Sequence, residues 1–235
     1  VAMQDPNPQV SGQGLDQLRA QGIDVIVGVL EDAARELNRG FIKRMEQGLP
    51  FVSIKMASSL DGRSALKNGS SQWITSAAAR RDVQFLRARA AAILTSAQTV
   101  LDDDPSLNLR LSKQDLKQIF EVRQPVRVVL DSRLRLSGSE KLFTIPGDIW
   151  IYTLSEDPDR HERLAARGAT VIQATEDAVG RIDLVALLQD LAQREINDVH
   201  SECGQRLAGA LIDQQLADQV VLYLAPHLLG SAARG

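Results

Sequence analysis

Short apolar runs rich in β-branched residues alternate with longer stretches whose apolar residues recur every three or four positions, and polar loops join the two. That alternation predicts an α/β protein: a mainly parallel sheet with helices on both faces. With 44 % hydrophobic residues in 235 and a net charge of −3, the chain can bury a substantial core, and one large domain with a smaller piece is expected.

The first stretch, residues 1 to 48, reads as strand, helix, strand, helix. Val1 to Met3 resembles a strand entering the turn Asp5-Pro6-Asn7-Pro8, so its neighbours are expected to lie upstream of this sequence. Leu15 to Gln21 reads as a helix closed by Gly22, and Ile23 to Val29 as a strand. Glu31 to Gln47 reads as one longer helix with Ala34, Leu37, Phe41 and Met45 on its core side. Gly48-Leu49-Pro50 breaks it and marks the expected domain boundary.

From residue 49 onward a new series begins with a strand at Phe51 to Met56. A loop rich in Ser, Gly and Asn leads to a helix from Ser76 to Arg89. Ala90 to Leu94 reads as a buried strand, and Ser96 to Leu101 as the helix after it. Strands follow at Val126 to Leu130 and Ile149 to Tyr152, then a helix from Asp157 to Arg167 and a strand from Ala169 to Ile172. Ile182 to Arg194 is expected to be a helix with Leu184, Leu187, Leu188 and Leu191 on one side. A short strand at Asp198 to Ser201, a helix at Gly204 to Gln214 and a strand at Gln219 to Leu224 complete the pattern, and the glycine-bearing end at Gly235 suggests a continuation.

Charges of both signs are spread along the chain, so no basic face exists to neutralise a row of phosphates and nucleic acid is not expected as a partner. No apolar run reaches the roughly 20 residues of a membrane span, and no signal peptide is visible; a cytoplasmic protein is expected. The single cysteine, Cys203, cannot form an internal disulfide and is best read as a small buried residue. The three histidines show no recurrent spacing, so neither a triad nor a zinc site is expected.

In open α/β sheets, ligands collect beyond the carboxyl ends of the strands, where helix N-termini offer unpaired N–H groups. Four segments have that layout. Lys55 to Arg63 offers a cation near a strand end, the small Ala57, and an Asp61-Gly62 turn. Ser70 to Ser76 is a hydroxyl-rich approach to a helix with Trp73 inside it. Thr95 to Pro105 places Thr99 and Asp103 one turn apart on the same helix face, with Leu107 and the fork-shaped Arg110 beyond. The fourth, Ser201 to Ala210, is a strand end, a glycine loop and a helix: Gly204 permits torsions closed to other residues, Gly209 allows close packing or ligand approach, and Glu202 can accept from sugar hydroxyls. Its spacing is neither the dinucleotide fingerprint nor a P-loop. Asp131-Ser132-Arg133 reads either as a plain turn or as a site for an adenosine 2′-phosphate.

Four blocks stand in register: Lys55 to Arg63, Ser71-Gln72-Trp73-Ile74-Thr75, Thr99 to Leu107, and Glu202-Cys203-Gly204. Together they resemble the reductase part of the bacterial bifunctional riboflavin-biosynthesis deaminase/reductase family. Residues 1–48, with Asp5-Pro6-Asn7-Pro8 and Leu37-Asn38-Arg39-Gly40-Phe41, resemble the end of that family's cytidine-deaminase-like domain, and 49–235 the dihydrofolate-reductase-like reductase domain, its last strands expected beyond Gly235. The resemblance implies reduction of the ribose of 5-amino-6-(5-phosphoribosylamino)uracil by NADPH. It places Ala57, Trp73, Thr99, Asp103, Ser132, Gly204, Gln205, Arg206, Leu207, Ala208, Gly209 and Ala210 at cofactor positions. Lys55, Ser71, Leu107, Arg110 and Glu202 fall at substrate positions, with no catalytic acid or base assigned. Zinc belongs to the deaminase part, whose His-x-Glu and Pro-Cys…Cys motif is expected to be missing from this chain. A homo-oligomer stays open, as do two other readings: a further dihydrofolate-reductase-like oxidoreductase, and a nucleotide-binding remnant without catalysis.

Overall fold

The computed structural model describes residues 1–66, 75–117 and 119–233. Its centre is a seven-stranded sheet of β1 (Phe51–Ser59), β2 (Ala92–Ser96), β3 (Val126–Leu130), β4 (Ile149–Thr153), β5 (Ala169–Gln173), β6 (Asp198–Ser201) and β7 (Gln219–Ala225), in the order β5-β4-β3-β2-β6-β1-β7. Every strand pair of defined register runs parallel. The helices are α1 (Gln13–Ala20), α2 (Glu31–Leu37), α3 (Arg39–Gln47), α4 (Ala77–Arg89), α5 (Ala97–Asp103), α6 (Lys113–Leu116), α7 (Pro158–Ala165), α8 (Leu184–Gln193) and α9 (Gln205–Asp213). Among the described residues no helix is long and apolar enough to cross a membrane.

Two compact units can be distinguished: Val1–Phe51 with Leu188–Asp198, and Val52–Leu187 with Val199–Gly235. In the smaller unit, Asn197 binds two segments at once: its carbonyl accepts from the Phe51 amide (2.8 Å) and its side-chain oxygen from Arg44 Nε (2.6 Å). Gly40 lies so close to this turn that a Cβ would stand 2.7 Å from the Asn197 carbonyl oxygen, which explains the absence of a side chain there.

Four expectations for this unit are corrected. Val1 to Met3 and Ile23 to Val29 form no strand, although Val1 bonds Ile26, Gly28 and Val29. Gly28 (φ 96°) and Leu30 (φ 58°) turn the chain before a ladder can extend, and Ile26 and Val29 stay exposed. The single helix from Glu31 to Gln47 is two helices, broken at Asn38, whose side chain and amide both donate to the Ala34 carbonyl, the local competition that makes Asn a poor interior helix residue. The proposed apolar stripe fails with it: Leu37 is 84 % exposed, and Gly40 and Ile42 are the buried residues.

The larger unit follows the sequence closely, because its strands are sandwiched and must read as continuous apolar runs. Residues Ala92 to Thr95 of β2 and Val126 to Val129 of β3 are buried without a gap. Ser76, Ser96 and Asp157 act as side-chain N-caps of α4, α5 and α7, so each helix begins one residue later than its first polar residue suggests. Leu184 and Leu187 of α8 are buried, as their spacing requires, and so are Leu188 and Leu191 in the part of α8 that belongs to the smaller unit. The one-turn helix α6, closed by a Ser112–Asp115 capping box, has too few residues for a periodic signal and was not anticipated.

β3 carries an exception to its apolar run. Arg127 is 1 % exposed, and its guanidinium donates to the carbonyls of Leu142 (2.5 Å), Ile145 (3.0 Å) and Gly147 (2.5 Å), bracing the 3₁₀ turn of residues 141–144 and the loop into β4. Truncation would strand buried carbonyl oxygens without donors, so Arg127→Met is expected to lose roughly 2–4 kcal/mol in urea unfolding. A loss under about 0.5 kcal/mol would mean that these carbonyls find other partners.

Candidate active site at the switch point of the sheet

The sheet order sets where a ligand can enter. From β2 the chain runs through α5 toward β3, whereas from the adjacent β6 it runs through α9 to β7, on the far side of β1. Neighbouring strands therefore send their connections in opposite directions, the arrangement at which open α/β sheets bind ligands beyond the carboxyl ends of their strands. β2 and β6 are in register there, Leu94 facing Ser201, and the pairing is continued by the Glu202 amide donating to the Leu94 carbonyl (3.0 Å) and Thr95 Oγ1 to the Glu202 carbonyl (2.7 Å).

Two helix N-termini follow these strand ends. In α5, Ser96 Oγ accepts from the Thr99 amide and lies 3.2 Å from Thr99 Oγ1. In α9, the N-cap position is Gly204, with no side chain to satisfy the amides of the first turn. A Cβ at Gly204 would stand 3.9 Å from Thr99 Oγ1, so the two termini face each other across van der Waals distance. Gly204 has φ −72° and ψ 168°, open to any residue, which corrects the expectation of special torsions. What glycine supplies is an uncovered set of N–H groups, suited to an anion. At Gly209 nothing lies within 4 Å of an added Cβ, so close packing inside the chain does not explain it.

Below this edge lies a cluster of charges that sequence reasoning found only in part. Arg87 of α4 donates from Nε to Glu202 Oε1 (2.5 Å) and from Nη2 to Oε2 (2.9 Å), and from Nη1 to the Asn108 carbonyl (2.8 Å). Both side chains of the pair are largely hidden, at 9 % and 14 % exposure. Burial pushes the Glu202 carboxyl upward, but the hydrogen bond and charge of Arg87, with His200 and Lys55 adding to them, outweigh it and hold the group below the ordinary glutamate value. Arg87 was missed because it is one of several arginines on an amphipathic helix, and only the fold brings it to Glu202.

The same helix positions the segment after α5. Gln84 accepts from the Arg110 amide (2.9 Å), and Gln124 clasps Leu109 from both backbone groups. Leu107 is buried at 2 % exposure with φ 48°, while the Arg110 side chain is exposed. Lys55 is not at a strand end as expected, since β1 continues to Ser59; it sits mid-strand opposite Val221, close enough for its charge to act on Glu202 and His200. Ala57 pairs with Tyr223 on β7, and Ser132 follows β3, whose Leu130 is in register with Ser96. Asp103 ends α5, one turn after Thr99. The expected contacts Ser71 and Trp73 lie outside the described residues.

Cys203 is half-buried, and burial raises its thiol above the usual value, which suits the expected inert role. Contrary to expectation a His-x-Glu triplet is present, His200-Ser201-Glu202; both Glu202 oxygens are engaged by Arg87, and with one cysteine in the chain the triplet has no cysteine pair to accompany it.

Residues 50–235 match the family model described as RibD C-terminal domain. The whole chain is 45 % identical to the riboflavin biosynthesis protein RibD of Escherichia coli K12, of which it covers 64 %. The structure superposes on RibD of Acinetobacter baumannii with a TM-score of 0.88 at 41 % identity, covering 100 % of this chain and 62 % of that one. It also superposes on a diaminohydroxyphosphoribosylaminopyrimidine deaminase/5-amino-6-(5-phosphoribosylamino)uracil reductase of Thermotoga maritima, with a TM-score of 0.80 at 34 % identity, covering 99 % and 60 %. The chain thus spans less than two thirds of each of these relatives.

Removing one partner of a hidden ion pair leaves the other uncompensated, so Arg87→Met and Glu202→Gln are each expected to cost roughly 3 kcal/mol at pH 7 in urea unfolding, and the double variant clearly less than the sum. Strict additivity would contradict the pair. Because the folded-state pKa of Glu202 is depressed, this stabilisation is fully present above the unfolded glutamate value and is lost as pH falls through the lower folded value; Glu202→Gln should flatten that part of the acid unfolding curve.

Proposed function

Because the chain belongs to the RibD C-terminal domain family, we propose that it is the NADPH-dependent 5-amino-6-(5-phosphoribosylamino)uracil reductase part of a larger riboflavin-biosynthesis enzyme. The observation that carries this reading is the juxtaposition at the switch point of the sheet, where the uncapped N-terminus of α9 faces Thr99 and the Arg87–Glu202 pair lies beside it. Residues 1–48 are read as the end of the preceding deaminase domain, whose zinc ligands would lie outside this chain.

The residues present fit a pyridine dinucleotide. Gly204 leaves the amides of Gln205, Arg206 and Leu207 uncovered, and these would hold a phosphate with help from the helix dipole. Thr99 and Asp103 on one face of α5, Ala57 on β1 and Ser132 after β3 would complete the cofactor contacts, with Ala208, Gly209 and Ala210 lining the first turns of α9. Gly209, with open space where a Cβ would be, suits close approach by the ligand. When bound, NADPH supplies the reducing equivalent to the opened sugar.

For the substrate, Arg110 offers a fork to the 5′-phosphate, and its position is set by the Gln84 bond to its own amide. Glu202 is ionised and fixed by Arg87, and the lone pairs that Arg87 leaves can accept from sugar hydroxyls. Leu107 would contribute through its backbone, since its side chain is in the core. Lys55 adds positive charge on the same side. Catalysis in such a site comes from holding donor and acceptor in contact, which accounts for the lack of an evident acid–base pair.

The assay is oxidation of NADPH in the presence of 5-amino-6-(5-phosphoribosylamino)uracil. Gly204→Ala should leave the KM for NADPH within about twofold, since its torsions and space tolerate a methyl group. Gly204→Asp sets a carboxylate where the phosphate is expected and should raise that KM about tenfold or more. NADPH binding without turnover would favour a non-catalytic nucleotide site, and equal behaviour of both variants would remove the phosphate from α9.

A further inference from the structure

His200 of β6 lies two residues before Glu202, which follows the strand, and is 1 % exposed. Its Nδ1 is 3.1 Å from Ser53 Oγ on β1, and its Nε2 has no hydrogen-bond partner but stands 3.7 Å from Glu202 Oε1. The charged groups that face it are Glu202 itself, Arg87 on α4 and Lys55 on β1. Two cations and burial act against protonation and one anion acts for it; the ring is held neutral, below the ordinary histidine value, with burial the largest influence.

A neutral imidazole must choose which nitrogen carries its proton, and the surroundings decide it. With the proton on Nδ1, the Nε2 lone pair would point at a carboxylate oxygen. With the proton on Nε2, an N–H dipole lies 3.7 Å from that oxygen, and Ser53 Oγ–H can donate to Nδ1. The second arrangement pairs Nδ1 with a donor and sets the favourable end of the Nε2–H dipole toward the carboxylate across 3.7 Å. We propose that His200 is a positioning residue for Glu202: Ser53 fixes the ring with its Nε2–H toward Oε1, so that the carboxylate is held from its own strand as well as from Arg87, and stays ionised and aimed when a ligand competes for Arg87. This rests on the reading of Glu202 as a substrate contact.

The first test needs no activity. Long-range proton–nitrogen correlation spectra of the three imidazoles, with His200 assigned by its disappearance in His200→Gln, should show Nε2 protonated and Nδ1 bare at pH 7. A proton on Nδ1, or on both nitrogens, overturns the proposal. The second test is kinetic, on the chain with its natural flanking domain. His200→Leu should raise the KM for the phosphoribosylaminouracil about tenfold, leave the KM for NADPH within about twofold, and shift the acid limb of kcat/KM upward by about one pH unit. His200→Gln, which keeps an N–H donor, should restore most of both effects. A merely structural histidine would raise both KM values together and leave the acid limb unmoved, and that result overturns the proposal. If His200→Leu does not fold, the spectra decide alone. Absence of turnover in the unaltered protein would refute the reductase reading instead, and the spectra then report on His200 independently.

Discussion

A carboxylate and a guanidinium shut away from water at the end of the central strands constrain everything around them. Glu202 cannot stay ionised at this depth without Arg87, and Arg87 cannot stay buried without Glu202 and the Asn108 carbonyl. The pair fixes α4 relative to the end of β6 and, through Asn108 and the Gln84 bond to Arg110, the loop after α5. One interaction thus ties three elements of the larger unit that are distant in sequence, and does so at the edge where ligands bind in open sheets.

The topology supplies the other half. The chain inserts β6 between β1 and β2 after the outward series β2 to β5 is complete. The insertion makes β2 and β6 neighbours whose following helices diverge, and it brings Gly204 opposite Thr99 although 105 residues separate them in sequence. An N-cap serine, asparagine or aspartate at position 204 would satisfy the first amides of α9 from within the chain. Glycine leaves them without a side-chain cap, which gives a less stable helix end and departs locally from the capping rule.

Most of the larger unit was legible in the sequence because buried parallel strands cannot hide: β3 and β6 fall at the expected residues, and β2, β4, β5 and β7 depart from expectation by two residues or fewer. The smaller unit was less so. Its apolar runs are short, partly exposed and interrupted by Gly28, Leu30 and Asn38 in torsions that the composition of the segment does not reveal. In the site, Thr99, Glu202 and Gly204 carried a local signal, a hydroxyl, an acid and a glycine at strand ends. Arg87, His200 and Ser53 carried none, since an arginine on a polar helix face and a histidine or serine within a strand look ordinary until the sheet order sets them beside Glu202. Lys55 was misplaced for a related reason: β1 runs three residues past its last strongly apolar position, through Ala57, Ser58 and Ser59.

The central claim is that a phosphate-bearing dinucleotide lodges between the N-termini of α5 and α9. Titration of the isotope-labelled protein with NADPH, followed by amide chemical shifts, tests it most directly. The largest shifts should fall on Thr99 and on Gly204 to Leu207, saturating together with a single affinity. Saturable shifts confined to the exposed β7 edge or to the smaller unit, with Thr99 and Gly204 unmoved, would contradict it.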